Sequence, residues 1–194
     1  MENASESTIK GTGVVAGVAY AEAVWVRPRP ALPTEGSIDP EQASESEYNR
    51  FLAAVDTVAN RLEKRAAAAE GQAAEVLTAT AGMVKDRGWH KTVRKNIRTG
   101  RNAEFATVGA TDKFVTMFEA AGGVMAERTT DLKDVRDRVI AELRGEDEPG
   151  LPLVDGEAVL FADDLAPADT ATLDTKHINC LLYTSPSPRD GLLS

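Results

Sequence analysis

An α/β domain interrupted by a helical block is the fold class this sequence predicts, and three observations predict it. The hydrophobic period changes twice along the chain, from strand-like to helical and back. Breaker-rich segments mark both changes: Arg-Pro-Arg-Pro-Ala-Leu-Pro over 27–33 and Gly-Glu-Asp-Glu-Pro-Gly-Leu-Pro over 145–152. Aromatic residues make up only 5% of the chain while alanine is plentiful, which favours helices over an all-β fold. Two linkers that flank one helical block imply that the block is inserted into the α/β domain.

The elements follow in order. Turn glycines at Gly11, Gly13 and Gly17 precede Val-Ala-Tyr-Ala-Glu-Ala-Val-Trp-Val over 18–26, a predicted strand. The prolines after it cannot continue a ladder, because proline lacks the N–H. Asp39, Pro40 and Gln42 then form a helix start, with Asp39 as cap and Pro40 in the first turn. Tyr48, Phe51, Val55, Val58 and Leu62 fall on one helical stripe, and the helix reaches Ala69. An element about 45 Å long needs partners, hence a bundle.

Further helices are predicted over 73–86 and 89–98, the second with Trp89, Val93 and Ile97 at i, i+4 and i+8. Asn102 caps the next, whose Phe105, Val108, Val115 and Phe118 lie on one side, and Gly122 and Gly123 break it. A last helix carries Leu132, Val135, Val139 and Leu143 and stops at Gly145. After the second linker, 157–162 reads as a strand, 165–173 as a short helix, and Lys176-His177-Ile178 as the start of another strand.

Net charge is −9 and the pI about 4.8, so the surface repels phosphate backbones and nucleic-acid binding is not expected. The sequence holds neither a run of 18 apolar residues nor a signal-peptide core, so membrane insertion is not expected. The one cysteine is Cys180. With it and two distant histidines, His90 and His177, no metal site can be assembled. A reducing cytoplasm is the expected location. His90, in a basic stretch, reads as part of a solvated helix face. His177 precedes a predicted strand.

Residues 180–190, Cys-Leu-Leu-Tyr-Thr-Ser-Pro-Ser-Pro-Arg-Asp, resemble one reading frame of a common transposase-type sequencing adapter. The natural sequence is therefore expected to be cut at about Asn179, with 180–194 an adapter-derived addition that interrupts the last strand. A genuine Pro/Ser-rich terminus is the alternative. The expected organisation is a flexible tail at 1–10, the first part of the α/β domain at 11–33, the inserted helices at 34–145, and a truncated second part at 146–179.

Three strings carry a family resemblance. Val14-Val-Ala-Gly17-Val-Ala-Tyr20 is similar to an opening Ser-Pro-Gly-Ile-Ala string, with Ala16 in place of the usual proline. Glu127-Arg128-Thr-Thr-Asp131-Leu-Lys-Asp134-Val resembles Glu-Arg-Ala-Ala-Asp-x-x-Asp-Val/Ile. Asp164-Leu165-Ala-Pro167-Ala-Asp-Thr170-Ala-Thr-Leu173 resembles Asp-Leu-Thr-Pro-Ser-Glu-Thr-Ala-x-Leu. Together, in order, they resemble Enzyme I of the bacterial sugar phosphotransferase system, the phosphoenolpyruvate-protein phosphotransferase family.

The resemblance implies a phosphohistidine swivelling domain, incomplete here, with an inserted helical domain that binds the phosphocarrier HPr. It implies transfer of phosphate from phosphoenolpyruvate to an enzyme histidine and on to HPr. A ring nitrogen suits that task because it is nucleophilic near neutral pH. The family's histidine lies in a Gly-Gly-x-Thr-Ser-His segment, and counting on from Asp164 places it at Gly191, which has no nucleophile. The polypeptide is therefore expected not to accept phosphate. Mg²⁺ and the homodimer belong, by the same resemblance, to a carboxy-terminal barrel outside these residues, so no cofactor is expected here. For HPr docking the resemblance assigns Arg128 as the groove's arginine, Met83 and Trp89 as apolar positions of the second helix, and Met117 of the fourth. Flexible methionines and a large aromatic suit such a groove. Bundle core is the other reading for Met83 and Met117, and a surface salt bridge for Arg128, while Trp89 beside Arg87 and His90 is expected to be partly exposed. Gly71 and Gln72 stand where some members have carboxylates. A purely helical interaction module without phosphoryl transfer is the alternative function.

Overall fold

The computed structural model describes residues 12–13, 16–152, 154, 156–163, 165–173 and 176–183. The expected tail at 1–10, residues 184–194 of the adapter-like segment, and with them Gly191, lie outside the described residues, as does Asp164. The element order is β1 Glu22–Trp25, α1 Pro40–Ala68, α2 Gly71–Val84, α3 Arg87–Arg98, α4 Ala103–Ala121, α5 Gly123–Glu127, α6 Thr129–Arg144, β2 Ala158–Ala162, α7 Pro167–Ala171 and β3 Ile178–Tyr183.

Local chemistry sets the helix ends. Asp39 Oδ1 accepts from the Glu41 N–H at 3.0 Å, with Pro40 at the first position of α1. Asp86 Oδ1 accepts from the Trp89 N–H at 2.7 Å, and Asn102 Oδ1 from the Phe105 N–H at 2.9 Å. Gly122 and Gly123 sit at φ +67° and +56°, which ends α4 and leaves α5 only five residues long.

The bundle core forms where the α1 and α3 stripes meet. Phe51, Val55, Val58 and Leu62 of α1 share one core with Leu77 and Val84 of α2 and with Trp89, Val93 and Ile97 of α3, all essentially without solvent contact. From α6 come Val135 and Val139. The inner face of α4 differs from expectation. Ala103, Ala106 and Ala110 enter the core cluster, whereas Phe105 and Phe118 are only half-buried. Small side chains let α4 approach α3 and α6 closely, and the rings pack at the rim: Arg101 lies over Phe105 at 4.8 Å, and Phe114 meets Phe118 edge-on.

The sheet has three parallel strands in the order β1-β2-β3. β1 is shorter than the 18–26 run because β2 offers five residues, so Glu22–Trp25 pair with Ala158–Phe161 while Val18 and Tyr20 stay exposed. β3 is longer than expected. It does not stop at Asn179 but pairs Cys180, Leu181 and Leu182 with Val159, Leu160 and Phe161, with an irregular register beside Ala158. The apolar run at 180–182 can fill a ladder and so extends the strand.

Both linkers meet at one point. Arg27 and Gly150 exchange two backbone hydrogen bonds, at 2.9 and 3.1 Å. Gly150 has φ +102°, and a Cβ there would lie 2.3 Å from Asp169 Oδ1. Gly150→Ala is therefore expected to destabilise the protein by about 2 kcal/mol or more, through backbone strain and the clash together. A lowered urea midpoint checks it.

Candidate functional site

The exposed apolar side chains of the helical block gather on one stretch of chain. Met117 on the last turns of α4 is 51% exposed, and Val124 and Met125 on α5 are 70% and 42% exposed. α5 packs on α4 and α6, so this stretch is one surface. A five-residue helix opened by two left-handed glycines has too little length to bury a face, which leaves its apolar residues in solvent. Val124 and Met125 were not picked out from the sequence, although an apolar pair directly after Gly122 and Gly123 signals such a piece.

Arg128 closes this surface at the junction of α5 and α6. Its side chain is nearly half exposed, and Nη1 donates to Asp131 Oδ2 at 3.3 Å. Among the described residues this long contact is the ion pair the side chain makes, and nearly half of the side chain stays open to solvent. Met83 is half-buried at the α2–α3 corner, packed against the core. A Cβ on Gly88 would lie 3.5 Å from the Phe114 ring, so this corner and the second half of α4 share one end of the bundle. The structure thus brings Met83 and Met117 to the same end, with Arg128 beyond α5.

Trp89 does not belong to that surface. It is 1% exposed, meets Phe51 edge-on at 5.4 Å, and donates Nε1–H to Thr111 Oγ1 at 3.2 Å. The expected partial exposure is overturned: the i, i+4, i+8 stripe outweighs the charged neighbours and turns the indole inward. His90 is corrected likewise. Its Nε2 lies 2.7 Å from the Val84 carbonyl oxygen and its ring stands edge-on to Phe51, so it is a half-buried packing residue. His177 is exposed just before β3, and its carbonyl accepts from the Ala158 N–H.

A second constellation escaped the sequence reading. Arg138 on α6 is 1% exposed, and its guanidinium reaches three carboxylates. Nε donates to Asp134 Oδ2 and Nη2 to Asp169 Oδ1, each at 2.8 Å, and Nη1 donates to Glu148 Oε1. Arg65 on α1 forks onto both oxygens of Glu148 at 3.0 and 2.8 Å. The i, i+4 spacing of Asp134 and Arg138 was the available signal. Beside this cluster, Arg65, Glu148, Asp169, Leu160, Leu173 and His177 are among the residues lining a cleft of about 700 Å³ between the bundle and the sheet.

Burial drives the Arg138 pKa down, but Asp134, Asp169 and Glu148 drive it further up, above the ordinary arginine value. Burial raises the Asp134 carboxyl by more than Arg138 lowers it, so its net shift is upward. Burial also raises Glu148, but Arg138 and then Arg65 pull it below the ordinary glutamate range. The signs therefore oppose. Stability from Glu148 is fully present above about pH 4.3 and is lost as pH falls through its lower folded value. Asp134 works the other way, its burial cost being relieved as pH falls through its raised folded value. Glu148→Gln is expected to flatten the acid decline in stability below about pH 4. Urea midpoints between about pH 3 and 6 check this, and an unchanged acid decline would contradict it.

Among the described residues no helix is long and apolar enough to cross a membrane. The same residues offer no cluster of three metal-ligating side chains, and the carboxylates that do converge are engaged by Arg138. They do not fit the Mg²⁺ of the resemblance.

Residues 10–128 match the family described as PEP-utilising enzyme, N-terminal. The phosphoenolpyruvate-protein phosphotransferase of Streptomyces coelicolor is 40% identical over 169 residues, covering 87% of this chain and 30% of that protein. The protein of the same name from Bacillus subtilis is 30% identical over 173 residues, covering 88% and 30%. The chain thus spans about 30% of the length of these curated relatives. Among solved structures, the solution structure of an Enzyme I protein matches with TM-score 0.71 and 24% identity, over 83% of this chain and 67% of that one. An N-terminal domain of a nitrogen-type Enzyme 1 matches with TM-score 0.60 and 20% identity, over 86% and 70%. The mostly helical fold with its small parallel sheet is thus that of an Enzyme I N-terminal domain. The match over 10–128 shows that the chain belongs to the N-terminal family of PEP-utilising enzymes.

Proposed function

We propose that the chain is the amino-terminal part of a phosphoenolpyruvate-protein phosphotransferase and that its helical block docks the carrier HPr. The carrying observation is the surface of Met117, Val124, Met125 and Arg128, apolar and cationic, raised on a rigid bundle. Flexible apolar side chains beside an under-used guanidinium suit a small protein partner. On this reading the sheet belongs to the phosphohistidine swivelling domain, β1 to its first part and β2 to its second. The whole cytoplasmic enzyme would pass phosphate from phosphoenolpyruvate through a histidine to HPr. A free-standing helical module is disfavoured, because β1 and β2 pair across the two ends of the helical block.

Calorimetric titration with HPr tests this. Met117→Ala and Arg128→Ala are each expected to weaken binding about tenfold, or ~1.4 kcal/mol, with unchanged thermal stability. Affinity in both variants equal to that of the unsubstituted chain would contradict the assignment.

A further inference from the structure

We propose that Arg138 is a clasp that fixes the orientation of the helical block relative to the sheet. Among the described elements, packing across the junction is confined to α7 lying on α2. The bundle's core cluster takes in a single residue beyond the second linker, Ala168, and a cleft of about 700 Å³ opens between the two halves. Halves joined by two linkers and one short helix–helix contact, α7 being five residues long, are expected to move relative to one another unless something else holds them.

The charged cluster lies where that motion would occur. Arg138 comes from α6 and Arg65 from α1, both in the helical block. Glu148 comes from the returning linker and Asp169 from α7, on the sheet side. Asp134 stands one turn before Arg138 and steadies the guanidinium from its own helix. Arg29 on the outgoing linker places its charge within reach of Asp134. Both linkers and α7 therefore each carry a residue into the cluster, although only 10 residues separate Arg138 from Glu148 and 31 separate it from Asp169.

The guanidinium's geometry suits the task. Its donors are planar and fixed, so three carboxylates from three segments can be held in only one relative arrangement. Gly150 adds to the constraint, because its missing side chain lets the linker lie directly on Asp169. A buried ion cluster is a weak source of net stability compared with apolar packing. Its contribution here is orientation: it holds the Met117–Arg128 surface at one angle to β1–β3.

Residual dipolar couplings on the full chain test this without any partner, and so independently of HPr docking. The unsubstituted protein is expected to give one alignment tensor for helices and sheet. The double variant Glu148→Gln/Asp169→Asn is expected to give two tensors, with couplings inside the bundle unchanged, and Arg138→Met the same. If Arg138→Met does not fold, the double variant decides. One shared tensor in the folded variants, or two in the unsubstituted protein, would overturn the clasp. So would loss of the bundle in both variants, since the bundle has its own core.

Discussion

Trp89→Ala is expected to destabilise the helical block by about 3–5 kcal/mol, the range for truncating a fully buried large aromatic. The indole fills the space between α1 and α4, edge-on to Phe51. Its removal strips the largest fully buried side chain from the core and leaves Thr111 Oγ1 without its donor. Thr111 still donates to the Thr107 carbonyl, so the hydroxyl is not orphaned and the cavity dominates the loss. Met117→Ala, on an exposed face, is expected to stay within about 0.5 kcal/mol. Urea unfolding of both variants separates a core tryptophan from a docking one. A Trp89 variant as stable as Met117→Ala would show that the indole is not packed as described.

Arg138→Met is expected to cost about 3–5 kcal/mol, because it leaves buried carboxylates without their partner. Asp134 and Asp169 would be the most affected, since Glu148 keeps Arg65. The loss is one of uncompensated charge, so it is reversible by removing that charge. Arg138→Met combined with Asp134→Leu and Asp169→Leu is expected to regain at least half of it, as apolar replacement of a buried ionic set is often neutral. If the triple variant is less stable than the single one, packing around the cluster, and not charge, carries the effect.

The legible parts of this fold are those whose signal is local. Asp39 and Asn102 announce their helices because a cap is read within three residues. The stripes of α1 and α3 are read from spacing alone, and both became core. The stripe also contains the answer for Trp89, since the period outweighs its charged neighbours Arg87 and His90. On α4 the period finds Val108 and Val115, which are buried, but not the rest of the buried face, because the alanines and threonines that form it carry little hydrophobic signal. The length of β1 depends on what β2 offers across the ladder, which lies beyond the whole helical block in sequence. The Arg138 cluster is long-range in the same way: its partners are distributed over three segments, and only the Asp134 contact has a helical spacing. Of the docking residues, Arg128 and Met117 came from the family resemblance and are exposed, whereas Val124 and Met125 became visible only with α5 in place.

The most direct test of the central claim is titration of the isotope-labelled chain with HPr, followed residue by residue by NMR. The account expects saturable shift changes centred on Met117, Val124, Met125 and Arg128, extending to Met83, with Trp89 responding weakly and β1–β3 little changed. Absence of saturable shifts, or shifts confined to the sheet, would contradict it.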